Sequence, residues 1–285
     1  MDARRPSNRR ASRLRREHEL ERRVRSLQAL GEAVGAMKNL SARHYREIRG
    51  AVGPAREYRN GIERILAWTG AELPSGGGAA GLLVIGAELG LCGGYNVQVV
   101  SAGAQRRAAL GDGPTVCAGT RAAALMRRRG IALARTYNAP TSAKGITEFL
   151  LRLAEDLLTT YVAEDLSSLD IVSTQFLGVG NHPPVGMRLL PLNRERSDHR
   201  PTIRYVSETS LTFAVIREYL YILLYDLLID ALAAEYSARL VATGAAGEWL
   251  DEREERVRKQ LAATRREAST QEVIEIAAGT RIHRR

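Results

Sequence analysis

The residues best placed to do chemistry lie in the glycine-rich run Gly86-Ala-Glu-Leu-Gly90-Leu-Cys-Gly93-Gly94. It follows an apolar strand signal at Leu82–Gly86 and precedes a helix signal from about Val97. Backbone N–H groups in that position commonly meet an anion. The residue types oppose a phosphate site, however. The run contains neither G-x-x-x-x-G-K-[ST] nor G-x-G-x-x-G, no lysine follows to meet a phosphate, and Glu88 would repel one. A tight turn packed against another element is the better reading. Cys92 sits among small residues with no histidine nearby in sequence, which makes it a buried thiol rather than a nucleophile. His18, His44, His182, His199 and His283 show no metal-ligand spacing, and neither G-x-S-x-G nor S-x-x-K occurs. The sequence therefore nominates no catalytic residue, no metal ligand and no cofactor.

The elements around this run account for most of the chain. From Thr209 to about Gly279 there is no proline, apolar residues recur at helical spacing, and only Gly244 and Gly247 interrupt good helix formers. At ~1.5 Å per residue such a helix spans roughly 100 Å. Between Leu211 and Leu240 its apolar density (Phe213, Ile216, Tyr219, Leu220, Leu223, Leu224, Leu227, Leu228, Leu232, Tyr236) implies burial on more than one side. From Glu248 to Glu267 six acids face six bases. Glu252–Arg256, Glu254–Arg258 and Glu255–Lys259 sit four apart with the acid first, each contributing a few tenths of a kcal/mol. That outer half therefore needs a packing partner.

A second long helix, from about Leu14 to Trp68 with Pro54 as a potential kink, offers one. Leu20, Leu27, Val34, Ser41, Ile48, Ala55 and Ile62 fall on one heptad line, and Val24, Gly31, Lys38, Tyr45 and Val52 on its companion. A seam that mixes apolar residues with Gly, Ser and Lys suits close two-helix packing more than a leucine zipper. Between the helices, strand and helix signals alternate: strands at Leu82–Gly86, Pro114–Ala118 and Ile131–Tyr137, and helices from about Val97, from a Thr120 cap, and from Ser142 to Tyr161. Leu169–Phe176 and Val185–Leu192 then read as a hairpin joined at Gly178–Pro184. The alternation implies a partly parallel sheet with right-handed crossovers.

The fold expected is thus α/β plus a long antiparallel two-helix coiled coil, the N- and C-terminal helices flanking a small Rossmann-like domain. Its divisions are a disordered Arg-rich tail over 1–13, a coiled-coil helix over 14–70 and a Gly-rich linker over 71–81. An α/β domain over 82–206 and a coiled-coil helix over 207–285 complete it.

Composition bounds the function. The 285 residues carry a net charge of +10, of which +6 lies in residues 1–25, where ten arginines face four acids. A solvated tail explains this, as would a tail touching an anionic partner. Aromatic content is low at 5% and apolar content ordinary at 45%, which favours a helix-rich, cored protein. Cys92 and Cys117 are too few for a disulfide framework, so reducing surroundings fit. The N-terminus lacks the apolar core of a signal peptide. The richest apolar run, Tyr219–Tyr225, stops at Asp226, far short of the ~20 residues a membrane span requires.

Four segments resemble motifs of the gamma subunit of F-type ATP synthases, in family order and over essentially the whole chain beyond the first dozen residues. They are Ala36-Met37-Lys38-Asn39-Leu40-Ser41-Ala42, Gly90-Leu91-Cys92-Gly93-Gly94-Tyr95-Asn96, Ala234–Leu240 (AEYSARL) and Ser269–Ile276 (STQEVIEI). The chain departs from the family's usual residues at Ala87-Glu88, at Asn39, at Val241–Gly247 and at its basic end Arg281–Arg285. Those departures suit a divergent member, and are compatible with an alternate, sodium-associated lineage.

The resemblance implies a central-stalk rotor subunit with no catalytic site of its own, peripheral at the cytoplasmic face of the membrane. Its implied partners are the alpha and beta subunits of the catalytic hexamer, the small epsilon subunit of the stalk and the membrane c-ring. The residues implied to touch the hexamer are Met37, Lys38, Leu40, Arg43, Arg46, Arg239, Arg265, Thr270, Gln271 and Glu272. Each also reads as part of a solvated helix face. The family's signature turn maps to Gly90, Leu91, Cys92, Gly93, Gly94 and Asn96. The rival reading is a basic α/β protein binding nucleotide through the sheet or nucleic acid through the tail. The two separate in one measurement: the isolated chain is expected to give no heat and no fluorescence change on titration with ATP. Saturable binding would favour the rival.

Overall fold

In the computed structural model the described residues are 5–69, 76–192 and 208–282. They form ten elements: α1 (Arg5–Thr69), β1 (Ala80–Ile85), α2 (Tyr95–Leu110), β2 (Thr115–Ala118), α3 (Thr120–Arg128), β3 (Arg135–Tyr137), α4 (Ala143–Ala163), β4 (Ser168–Thr174), β5 (Pro184–Leu190) and α5 (Glu208–Ile282). The chain divides into two units, one of residues 39–242 and one of residues 1–38 with 243–285.

The unit of residues 39–242 is built on a five-stranded sheet ordered β3-β2-β1-β4-β5. β1 pairs in parallel with β2 and with β4, β2 pairs in parallel with β3, and β5 returns antiparallel to β4. Alternation along the strands divides the core. Leu83, Ile85, Val116 and Ile171 pack with α4 and with the long helices, while Leu82, Val84 and Cys117 pack with α2 and α3. Strands covered on both faces are near-continuously apolar, which is why β1 reads AGLLVI.

The long helices meet the sheet within this unit. Every residue of α5 from Asp226 to Arg239 is buried, as its apolar density requires. α1 runs alongside it in the opposite sense: His44 stacks on Tyr236 with ring centroids 5.1 Å apart, and Arg56 reaches Asp230. On the first heptad line Ser41, Ile48 and Ala55 are buried and Ile62 is half-buried, and on the companion line Tyr45 and Val52 are buried.

The other unit holds the outer parts of both helices, again antiparallel, with Arg265 of α5 bonded to Glu17 at 2.7 Å and to Glu21. Leu250, Val257 and Thr264 are buried at heptad spacing on α5, and Leu20 is buried on α1. The three i,i+4 ion pairs form as expected: Glu252–Arg256 at 3.4 Å, Glu254–Arg258 at 2.6 Å and Glu255–Lys259 at 2.7 Å.

Several boundaries differ from the sequence reading, for identifiable reasons. α1 is helical from Arg5, within the segment expected to be disordered. That segment carries five arginines and two alanines, good helix formers, and Pro6 lies in the first turn, where a missing N–H costs nothing; residues 1–4 lie outside the described residues. α1 also continues through Pro54. Thr120 is the first residue of α3 rather than its cap. The third strand is only Arg135–Tyr137, because Ile131 and Leu133 turn into the α2–α3 core instead of extending the sheet.

Part of the Gly-rich linker is also ordered: Gly76 and Gly78 donate to Leu166 O and Asp165 O at 3.0 and 2.8 Å, and β1 takes up Ala80 and Gly81. Residues 70–75 and 193–207 lie outside the described residues. The hairpin of β4 and β5 stands as expected. So does the Ser142 cap of α4, whose hydroxyl oxygen accepts from Gly145 N at 3.3 Å.

One close approach fixes how β1 meets α3. A Cβ on Gly86 would lie 2.3 Å from the Ala122 Cβ, so any side chain there must push the helix off the sheet. Gly86→Ala is expected to destabilise the folded chain by about 1–3 kcal/mol, read as a lower urea midpoint with an unchanged slope.

Candidate functional site at the carboxyl edge of the sheet

In a sheet of this topology, ligands bind outside the carboxyl ends of the strands, where the crossovers diverge. Here that edge is closed by the chain itself. The β1–α2 loop, the β3–α4 loop and the β4–β5 turn all lie against the buried stretch of α5.

The glycine-rich run forms the first of these contacts. Leu91 and Gly93 take left-handed backbone conformations, with φ of 62° and 55°, which folds the run into a compact turn. Its carbonyls then face α5. Arg239 Nε donates to Gly90 O at 2.9 Å and its terminal nitrogen to Leu89 O at 3.3 Å. A phosphate loop presents N–H groups inward; this turn presents acceptors to a cation. Asn96 closes the turn from within, accepting from Ala87 N at 2.9 Å and donating to Cys92 Sγ at 3.4 Å.

Arg239 has no exposed side-chain surface and is also bonded to Glu235, one helical turn earlier. Its guanidinium lies 5.1 Å from the Tyr236 ring centroid. Burial pushes the Glu235 carboxyl above its ordinary value, and Arg239 pulls it back toward ionisation. Tyr236 donates to Thr141 O in the β3–α4 loop, and burial pushes its phenol up to about 12.

Tyr95, at the start of α2, stands where β1 and β4 diverge. Its hydroxyl lies 3.0 Å from Thr174 Oγ1 and bonds Ala231 O of α5 at 3.1 Å. Full burial raises that phenol's pKa. From the β4–β5 turn, Gly180 N donates to Ser237 Oγ at 2.9 Å. The remaining helix N-terminus is occupied as well. Glu88 accepts from Thr120 N at 2.9 Å, Thr120 Oγ1 at 2.6 Å and Ala139 N at 2.9 Å, so a carboxylate of the chain sits where an anion would bind α3.

The chemistry available at this edge is consequently adhesive. Burial raises the Cys92 thiol, and pushes Cys117 up to about 12; neither is a thiolate near neutral pH. Among the described residues no group of His, Cys, Asp and Glu is arranged to hold a metal ion, and no helix is long and apolar enough to cross a membrane.

The residues expected to touch partners fall into two sets. Lys38, Leu40, Arg43, Arg46, Thr270 and Glu272 are exposed, and Met37 and Gln271 are half-buried. Thr270 spends its hydroxyl on Arg266 O at 2.9 Å. Arg265 is engaged within the chain by Glu17 and Glu21. Arg239 differs from that expectation: it is wholly internal, and its part is to bind the signature turn to α5. Cys92 of that turn is buried, Gly90 and Asn96 are half-buried, and Leu91, Gly93 and Gly94 face outward.

Sequence reasoning missed Tyr95, Thr174 and Ser237 as members of this edge. It also missed Arg56 and Arg59 on α1, which meet Asp230 and Asp226 on α5. A signal for the last pair existed. Two aspartates four apart inside an otherwise apolar helix must find cations.

A small α/β domain whose carboxyl edge is filled by its own C-terminal helix, flanked in sequence by two long helices, is the class of protein that this fold and this edge define. The ATP synthase family model matches residues 16–281, and the chain belongs to the ATP synthase gamma family. The ATP synthase gamma chain of Moorella thermoacetica is 28% identical over 92% of this chain and 96% of its own length, and that of Desulforamulus reducens 26% over the same shares. Among solved structures, a chain of the Euglena gracilis mitochondrial ATP synthase (OSCP/F1/c-ring) matches with a TM-score of 0.68 at 14% identity, covering 93% of each chain. One from the Tetrahymena thermophila central stalk and c-ring matches with a TM-score of 0.57 at 14% identity, over 75% of this chain and 99% of that one.

Removing Arg239 strands a buried carboxylate. Arg239→Ala is expected to cost about 3–5 kcal/mol at pH 8. The folded-state pKa of Glu235 is raised, so its ionised form opposes folding above that pKa and ceases to do so once protonated. The deficit relative to the parent should therefore shrink as pH falls toward 5. Urea melts at the two pH values test this; a constant deficit would mean that Glu235 is not the stranded group.

Proposed function

We propose that this chain is the rotor of a rotary ATP synthase, turning inside a hexamer of alpha and beta subunits and coupling transmembrane ion flow to their nucleotide chemistry. The observation that carries this reading is the filled carboxyl edge. The one place where this sheet would bind a nucleotide is occupied by α5, so catalysis belongs to other chains.

On this reading the long helices present a different face to each catalytic subunit, and each subunit is held in the conformation that its own contact favours. Turning the helices redistributes those conformations, which is population shift by differential contact. Exposed Lys38, Arg43 and Arg46, with Met37 and Leu40 beside them in sequence, are suited to acidic segments of the catalytic subunits. Thr270, Gln271 and Glu272 near the end of α5 offer hydrogen-bonding groups to their inner loops. Arg265 joins that second set through the face its ion pairs leave open. The sheet would sit at the foot of the stalk, against the epsilon subunit and the c-ring, on the cytoplasmic side.

Reconstitution tests the proposal. The recombinant alpha–beta hexamer purified with this chain is expected to co-elute with it and to hydrolyse ATP several-fold faster than the hexamer alone. Unchanged turnover with no co-elution would overturn the rotor reading. In the membrane-bound complex, the dependence of ATP-driven transport on sodium concentration assigns the ion.

A further inference from the structure

A subunit that transmits torque between a sheet and a helix pair must join them at points that do not slip, and one residue of this chain stands at such a point. Phe176 follows β4 in the β4–β5 turn. Its backbone N–H lies near enough to the Asp230 carboxylate of α5 to favour the ionised form, and its carbonyl accepts from Arg56 of α1 at 3.5 Å. Its ring meets the Tyr45 ring of α1 edge-on, with centroids 5.7 Å apart. Arg56 closes the arrangement, its terminal nitrogen lying 2.9 and 2.8 Å from the two Asp230 carboxylate oxygens. Strand end, N-terminal helix and C-terminal helix thus share one charged node. The Asp230 side chain is only 8% exposed while that of Arg56 is 37% exposed, so water is scarce at the carboxylate and reaches only the guanidinium side of the pair.

The neighbouring groups concentrate the requirement at Arg56. One turn along, Arg59 pairs with Asp226 and lies 3.7 Å from Glu63, and Tyr58 donates to Glu218 at 3.0 Å. The Arg59–Asp226 and Tyr58–Glu218 contacts join α1 to α5 and do not reach the sheet. Tyr95 and Ser237 tie the sheet to α5 and not to α1. Among these contacts the Arg56 guanidinium is the polar side chain that touches both the other helix and the sheet.

Resting on the rotor reading above, we propose that Arg56 is a positioning residue for coupling. Through Asp230 and the Phe176 carbonyl it fixes the sheet to both long helices, so that torque on the sheet turns the pair as one piece. Its loss lets the sheet yield against the helices while the outer helix parts, where nucleotide turnover is felt, remain intact.

The test uses the assembled complex in vesicles and reads ATP hydrolysis and ATP-driven ion transport in the same preparation. Arg56→Lys keeps a cation for Asp230 on a shorter side chain that cannot hold the carboxylate and the Phe176 carbonyl together, and is expected to lower the ratio of transport to hydrolysis two- to threefold. The double variant Arg56→Met with Asp230→Leu removes both charges and fills their volume, leaving no buried carboxylate unpaired. It is expected to melt within a few degrees of the parent while its transport-to-hydrolysis ratio falls five-fold or more.

A ratio restored along with stability in the double variant, or unchanged in Arg56→Lys, would overturn the proposal. So would transport and hydrolysis falling together in both. These outcomes are separable from failure of the rotor reading, which would show already in the unsubstituted chain as absence of assembly or of transport.

Discussion

A helix enclosed on all sides has nowhere to put a charge, and that constraint orders this molecule. Between Asp226 and Arg239 α5 is buried without interruption, yet it carries Asp226, Asp230, Glu235 and Arg239. Water cannot solvate them, so each must find a partner brought by another element or by the next turn. Asp226 and Asp230 draw in Arg59 and Arg56 of α1. Glu235 takes Arg239, and Arg239 in turn takes two loop carbonyls from the far side of the sheet. Apolar burial would hold these elements together in many registers. The charged positions admit few, because a shift of one residue leaves ions buried without partners.

The same constraint fills the edge at which a sheet of this topology receives ligands. The open carboxyl edge of such a sheet has unpaired loop groups and helix N-termini, which ligands ordinarily satisfy. Here Glu88 satisfies α3, Tyr95 joins Thr174 at the end of β4 to Ala231 of α5, and the glycine-rich turn spends its carbonyls on Arg239. The glycines serve compactness rather than ligand approach. The turn has to fit between a strand and a helix already packed on it.

Much of this was legible in the sequence. Helical periodicity and the absence of proline marked α5, the heptad lines marked α1, and the i,i+4 acid–base order foretold the surface ion pairs, because these are local rules acting over long segments. The missing lysine and the presence of Glu88 pointed to a packed turn, and the turn's Leu89 and Gly90 carbonyls do accept from Arg239. What stayed hidden was pairing across the fold. Glu88 as the cap of α3, Arg239 as an internal clamp and Arg56 opposite Asp230 join residues far apart in sequence. A single sequence gives the need for a partner, as at Asp226 and Asp230, without saying which arginine answers it. The N-terminal arginines misled for a different reason. Their charge suggested disorder, while their helix propensity and the position of Pro6 favoured extending α1.

Arg239 shows why charge alone is a poor guide to partner contacts. Six bases and six acids decorate the outer part of α5, where surface pairs contribute little to stability and remain available to other molecules. Arg239 belongs to a neighbouring stretch of the same helix, is of the same residue type, and is wholly withdrawn. The difference is set by what surrounds it. Where the helix has sheet and helix on all sides, a cation becomes a fastener whose partners lie within the chain. Where one flank faces solvent, as at Lys38, Arg43 and Arg46, a cation can serve an assembly. A family motif such as AEYSARL can therefore matter to function through the internal joint it makes, with no atom of its arginine touching another subunit.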